Sequence, residues 1–370
     1  AWNYTDSFKG IHDSIYDAAA VEPIQAGGKR RSGRVALVLS KATDHNERLT
    51  RVPKAQDQLA RRCKNAPEQI EQVMCRVDAQ MMYLALKHAQ QGVELITEDD
   101  IVDGILKNVS AVYFLGEWID HRVPAKLESW VKDGGILYAG AGVGHLNEFG
   151  ENEKGLLKVL GLKDASAVRK DLYCIRPLQE LPVAAPIDTL KMGDQAMPAV
   201  GMRQVLAPDT AKVLGQWADG TAAVTVNELG KGKAFAVGTL AGCGYMKSGL
   251  ALVPVARGGN RCPVGPTQFD PAATKLVRLA VDAAPVDAEV TCSNPYVEGN
   301  VIDNTAGTLV TLVNWSLSPA TGVGVSVKMP AAPKSVRAVA AQKPVEFKYA
   351  DGRATFTADV ADGEFFVLAK

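Results

Sequence analysis

"ILYAGAGVGHLNE", residues 136–148, is the stretch that decides the fold. The apolar run Ile136–Ala139 reads as a strand and passes directly into Gly140-Ala141-Gly142-Val143-Gly144-His145. Glycines at this density suit a sharp turn, because only glycine takes positive φ without steric cost. Strand-to-helix elbows of this kind expose the side chain at their apex, and many enzymes place a nucleophile there.

Working outward, strand and helix signals alternate. "RVALVLS" (34–40) is a β-branched run suited to a strand buried on both faces. A polar insertion near 41–76 follows. "DAQMMYLALKHAQQG" (78–92) reads as a helix with Asp78 as its cap, Met81, Leu84, Ala85 and His88 on one face, and Gly92 as its stop. "VELITEDDI" (93–101) and "SAVYFLGEWI" (110–119) supply further strands. "VPAKLESWVKDGG" (123–135) reads as a helix burying Leu127, Trp130 and Val131. That order predicts a mostly parallel sheet with helices on both faces, and ligands bind such sheets at the carboxyl ends of the strands. Ser40, Glu117 and Gly140–His145 are expected at that edge.

Residues 211–240 read as a meander with turns at Asp219-Gly220 and Gly230-Lys231-Gly232. A Gly/Pro-rich loop (241–271) leads to a helix over 271–284. From 286 to 370, short runs of period-two alternation between Gly, Pro and Asp-Gly turns predict an antiparallel β-sandwich. Residues 24–34, "IQAGGKRRSGR", read as a linker. The domains expected are therefore an arm over 1–33, an α/β domain over 34–285 with insertions near 41–76 and 246–271, and a sandwich over 286–370.

Composition bounds the partners. Lys+Arg and Asp+Glu balance at 41 each, so no net field attracts nucleic acid or an anionic membrane. No apolar run reaches the roughly 20 residues of a membrane span. The six cysteines form no Cys-x-x-Cys pair, which argues against a zinc ribbon. They read as buried free thiols, or as local pairs Cys63/Cys75 and Cys243/Cys262 in an exported protein. Asn3, Asn108 and Asn314 head glycosylation triplets. The chain begins at Ala1 without Met, and reads as a processed or truncated product.

"GAGVGH" resembles the Gly-x-Cys-x-Gly-His elbow of class I glutamine amidotransferases. Gly140, Gly144 and His145 match, and Gly142 takes the place of the cysteine. That family draws its base from a later His-x-Glu, yet of the five histidines none lies beyond His145. The resemblance thus implies the elbow without its chemistry.

The stretch from about 34 to 245 resembles the beta-galactosidase trimerisation domain of family-42 glycoside hydrolases, from "RVALVLS" through "WVKDGGIL" and "AGAGVGHLNEFGE" to "GKGKAFAVGTLAGCGY". Residues 286–370 resemble the small sandwich that follows it. The resemblance implies a flavodoxin-like, amidotransferase-like α/β domain and a C-terminal sandwich. It further implies a non-catalytic role in assembly, as a homo-oligomer such as a trimer or within a larger assembly, walling a carbohydrate site made elsewhere. The alternatives are the accessory half of a glycoside hydrolase whose barrel lies upstream, or a carbohydrate-binding or surface-structural protein. The family's two catalytic glutamates belong to that barrel, so no residue here inherits them. Export is favoured by the missing start, the even cysteine count and the family's company.

Remaining candidates each carry two readings. Glu117, Trp118, Asp120 and His121 in "GEWIDH" are a sugar-contacting pocket or a polar strand end. His145, Asn147 and Glu148 join that pocket, coordinate an ion, or form a hydrogen-bonded turn. Asp44 and His45 after Ser40 are metal ligands or loop polars. Glu98-Asp99-Asp100 is a Ca²⁺ site or a solvated turn. Gly140-x-Gly142-x-Gly144 lacks the helix and acidic residue of a dinucleotide site. Trp315 is a core residue or a carbohydrate platform. No cofactor and no metal are called for.

Overall fold

The three continuous apolar runs form the centre of one sheet. In a computed structural model, which describes residues 5–53, 69–71, 74–143, 145–171, 181–250, 269–316 and 318–370, every residue of Val35–Val38, Ala111–Phe114 and Ile136–Ala139 is buried. Val93–Ile96 and Gly232–Val237 complete a parallel set of five. Numbered by chain position, these five strands lie in the order 2-1-3-4-5. Their odd and even residues face opposite ways, as the period of a strand requires. Val35, Leu37, Tyr113 and Tyr138 meet the helices Met74–His88 and Pro271–Ala283. Ala36, Val38, Phe114 and Leu137 meet Val123–Lys132 and Gly155–Leu160. Both faces are therefore covered, which explains why no polar residue interrupts the runs. Beyond Gly232–Val237 the sheet continues antiparallel through Ala222–Leu229, Lys212–Gln216, Asp188–Met192 and Gln195–Ala199. Met202–Pro208, which pairs with Ala222–Leu229, and Leu162–Lys170, which pairs with Met202–Pro208, are the last two of its eleven strands. The chain is predominantly β.

Two compact units result. One comprises Arg34–Leu86 and Val93–Val286; the other comprises Ala1–Gly33, Lys87–Gly92 and Asp287–Lys370. The second unit holds a six-stranded and a four-stranded antiparallel sheet. Val301, Val310 and Leu312 from one face Val325, Val327 and Phe356 from the other. The alternation read in residues 286–370 is literal: Arg353–Val360 buries every second residue.

Three readings need correction. Residues 24–34 are no free linker. Lys29–Arg30 pairs antiparallel with Val297–Asn304, and Arg31 is held by Asp303 at 2.6 and 3.0 Å and Glu289 at 3.2 Å. Ahead of it runs the helix Thr5–Gln25, whose Val21 and Ile24 pack with Leu309 and Val339. Second, Asp78 does not cap its own helix, which begins at Met74. Its carboxylate instead accepts the Cys243 N–H at 2.9 Å, at the head of Ala241–Lys247, a helix inside the expected Gly/Pro-rich loop. Glu47, also buried, takes the Cys75 and Arg76 N–H groups at 2.8 and 3.2 Å and so caps the Met74 helix. Burial raises both carboxyls, that of Asp78 to about 7. Third, Trp315 is 55% exposed and not a core residue.

Cys75, Cys243 and Cys292 are buried free thiols. Cys63, Cys174, Cys262, Gly144, Asn3, part of the insertion at 41–76 and most of that at 246–271 lie outside the described residues. Asn314 is buried with its amide engaged, which removes it as a glycosylation acceptor. Among the described residues, no helix is long and apolar enough to cross a membrane.

Candidate functional site

The carboxyl edge of the parallel strands is pinned by hydrogen bonds between loops. After Val38 the chain reaches Ser40, which caps Lys41–Leu49 by accepting the Thr43 N–H at 3.0 Å. The Ser40 hydroxyl donates to Glu98 Oε1 at 2.6 Å, and Glu98 Oε2 accepts the Lys41 N–H at 2.7 Å. Burial pushes the Glu98 carboxyl up, while these bonds pull it back. Thr43 Oγ1 donates to the Trp118 carbonyl at 2.8 Å and takes the Trp118 N–H at 3.3 Å. Gly116 makes the approach possible: its φ is +133°, and a Cβ there would lie 2.2 Å from Thr43 Oγ1. Ser40→Ala removes a cap and a partner of a buried carboxylate. Urea denaturation is expected to show a loss of about 2 kcal/mol.

The acidic run at 98–100 lies in a helix and not in a turn. It begins the helix Glu98–Val102, with Thr97 and Asp100 forming a reciprocal capping box. Glu98 points inward, whereas Asp99 points outward to Lys41 at 2.6 Å and Arg122 at 2.9 Å. Likewise Asp44 pairs with Arg48 one helical turn on, at 2.9 Å.

At the elbow, Gly142 has φ +87°, and His145 N–H donates to its carbonyl at 3.1 Å. A Cβ at Gly142 would lie 2.4 Å from Glu117 Cγ and 3.2 Å from Glu117 Cα. The space that an apex side chain would need is therefore occupied by the Glu117 stem. Glu117 is 4% exposed and ion-paired with Lys170, whose ammonium stands 5.8 Å over the Trp118 ring. The backbone donors are engaged as well. Gly142 N–H donates to Gln204 Oε1 at 2.9 Å, and Val143 N–H donates to the Gly140 carbonyl at 3.2 Å. Gln204 is itself 1% exposed and fixed by its Nε2 donating to the Ala165 carbonyl at 2.7 Å. An acyl-transfer site needs such N–H groups free to meet an oxyanion. Among the described residues, this elbow lacks the nucleophile and the room for it, and its Gly142 and Val143 N–H groups are not free to form a hole.

The residues expected to share one pocket are divided. Trp118–Ile119 does pair in parallel with Leu146–Asn147, which brings the two loops together. Yet Glu117 and Trp118 are buried beneath them. Asn147 accepts the Phe149 and Glu151 N–H groups at 3.0 and 2.9 Å, making it the organiser of a turn. Asp120, His121 and Glu148 form a surface cluster, with ligand-type atoms within 4.8 Å of one another. Inside it the His121 ring meets Glu148, which raises its pKa, and Asp120 is clamped by Arg122. His145 turns away into a cavity of about 370 Å³, its buried Nδ1 without a partner among the described residues.

Ser40 lines a different cavity, of about 710 Å³, with Leu39, Tyr83, Leu95, His45 and Arg76. Sequence reading did not find it. The signal was Leu39 and Leu95, which continue neighbouring parallel strands yet remain 45% and 52% exposed.

Comparison with known proteins places this geometry. Residues 112–248 match the family model described as the beta-galactosidase trimerisation domain, the domain that the sequence resembles. No curated protein matches. Among solved structures, the chain is similar to the beta-galactosidase of Rahnella sp. R3, with a TM-score of 0.58 and 16% identity, over 95% of this chain and 43% of that one. The beta-galactosidase of Bacillus circulans sp. alkalophilus gives 0.56 and 15%, over 92% and 42%. An alpha-L-fucosidase isoenzyme of Paenibacillus thiaminolyticus gives 0.59 and 12%, over 96% and 51%. At such identities the likeness is one of fold, and the chain spans less than half the length of these galactosidases.

Proposed function

With residues 112–248 matching the beta-galactosidase trimerisation domain, we propose that this chain is a non-catalytic assembly module of a glycoside hydrolase-like protein. One observation carries the reading: the Gly142 apex is bare, filled by Glu117 and sealed by Gln204, so the strand-end edge serves by shape. The 2-1-3-4-5 order supports a flavodoxin-like, glutamine amidotransferase-like domain over 34–285, joined to a sandwich over 286–370. The oligomer is a trimer, and the strand-end edge, with the cavity beside Ser40 and with His121 at its surface, walls a carbohydrate site completed by other parts. Sedimentation equilibrium of the full chain at micromolar concentration tests this. A mass of three chains is expected, and a monomer throughout overturns the proposal.

A second reading has its own support. Phe8, Ile11 and Ile15 of the Thr5–Gln25 helix are 70%, 59% and 61% exposed. They fall at i, i+3 and i+7, opposite the Val21–Ile24 face that packs on Leu309. Such a solvent-facing stripe suits a further domain, and the galactosidases of this fold are more than twice as long. In this reading the chain is the accessory half of a hydrolase whose barrel lies upstream. The intact mass of the native polypeptide decides: about 250 additional residues favour it, and a polypeptide of 370 residues rules it out.

A further inference from the structure

Trp315 follows the Gly307–Asn314 strand at the rim of the six-stranded sheet, and it is held more firmly than an exposed residue needs to be. Its N–H donates to the Tyr296 carbonyl at 2.9 Å. Its indole Nε1–H donates to Glu298 Oε2 at 3.1 Å. Glu298 is in turn fixed through Oε1 by Lys87 Nζ at 2.8 Å, a lysine whose side chain is only 7% exposed, and by Asn300 Nδ2 at 3.2 Å. The neighbouring Asn314 side chain is buried and locks the loop, its Oδ1 accepting Ser316 N–H at 2.9 Å and its Nδ2 reaching the Val360 and Ala361 carbonyls. The ring plane is thereby set before any ligand arrives, while over half of the residue faces solvent.

We propose that the open face of Trp315, with Glu298 and Asn300 beside it, binds a pyranose ring. The sugar stacks its C–H face on the indole and directs hydroxyls to the carboxylate and the amide. Three features select this ligand class. A fixed indole offers a large amphipathic surface at low entropic cost. Glu298 and Asn300 lie two residues apart on one strand, so both side chains project from the same face of the sheet as neighbours of the ring. Finally, the patch is a single aromatic among polar groups. A protein partner needs a contiguous core of roughly 800 Å² on each side, and the other large exposed apolar residues lie on other segments of the chain. A pyranose, with one apolar face and a rim of hydroxyls, matches an isolated indole with polar neighbours. This site is independent of the assembly reading.

Saturation-transfer NMR on the full chain tests it, with methyl β-D-galactopyranoside, methyl β-D-glucopyranoside and methyl β-D-xylopyranoside as probes. Transfer into the ring C–H protons of at least one is expected. Trp315→Ala should weaken binding about tenfold or more, and Trp315→Phe, which keeps a π face without the N–H, by a smaller factor. Circular dichroism and sedimentation should be unchanged in both variants. No transfer from any probe overturns the proposal, as does transfer undiminished in Trp315→Ala. A change in oligomeric mass in that variant also overturns it, and assigns the indole to a protein interface instead.

Discussion

Gly142→Cys yields no amidase: the variant is expected to release no ammonia from glutamine and to be less stable by about 3–5 kcal/mol. The backbone at 142 has φ +87°, a conformation that costs a non-glycine residue about 1–2 kcal/mol. The added Cβ would then stand 2.4 Å from Glu117 Cγ. Glu117 cannot simply swing away, because moving it separates a buried carboxylate from Lys170. Were the strain absorbed, the thiol would still have no histidine base downstream of position 145, and the Gly142 and Val143 N–H groups beside it are already engaged. Urea denaturation measures the first part and an ammonia assay the second. A variant as stable as the parent, or one that turns over glutamine, contradicts the account of the elbow.

Asp78→Asn is the second large effect, and it acts through pH. The Asp78 carboxyl has its pKa raised from 3.8 to about 7, with burial as the main cause. In the unfolded chain it ionises near pH 4. Between those values the folded state holds a proton that the unfolded state has lost, so stability falls as pH rises through the window. The size is on the order of 4 kcal/mol between pH 4 and pH 8. Asparagine keeps an oxygen to accept the Cys243 N–H and never ionises. The variant is therefore expected to be more stable than the parent at pH 8, with a flatter profile above pH 4. His88 works in the opposite sense, since burial lowers its pKa to about 4 and stability is lost as pH falls below 6.5. Denaturation curves from pH 4 to 8 separate the two. If parent and variant run parallel across that range, Asp78 does not titrate as described.

Both effects depend on features that sequence reading partly saw. The sheet centre was legible because a strand covered on both faces must be apolar throughout, as Val35–Val38 and Ala111–Phe114 are. The bare apex was legible for the same reason that it matters: glycine at 142 has no atom to offer. The sequence pattern puts Gly232–Val237 in a meander, which holds on one side only. It pairs antiparallel with Ala222–Leu229 and parallel with Ile136–Ala139, and nothing local distinguishes a strand with two kinds of neighbour.

What escaped was mostly long-range. Arg31 reads as linker charge until Asp303, 272 residues away, is folded against it. Asp78 looks like a cap for the helix it lies in, yet caps another 165 residues on. Gly242 and Gly244 suggested a loop. At Gly242, glycine is there so that one helix can approach another, since a Cβ would come within 2.5 Å of Met82 N. The expected pocket failed because side chains on paired loops can still diverge: Trp118 and Leu146 are register partners, but Glu117 turns inward and His121 outward.

Gln204 and Glu117 give the elbow a one-way character. Each occupies a place that catalysis would require open, one at the amide and one at the apex. Installing a nucleophile would demand simultaneous change at 142, 117 and 204, with every single step penalised. A mutational walk from this turn to chemistry thus crosses a barrier in sequence space, and directed-evolution libraries that vary one position at a time should find no path across it.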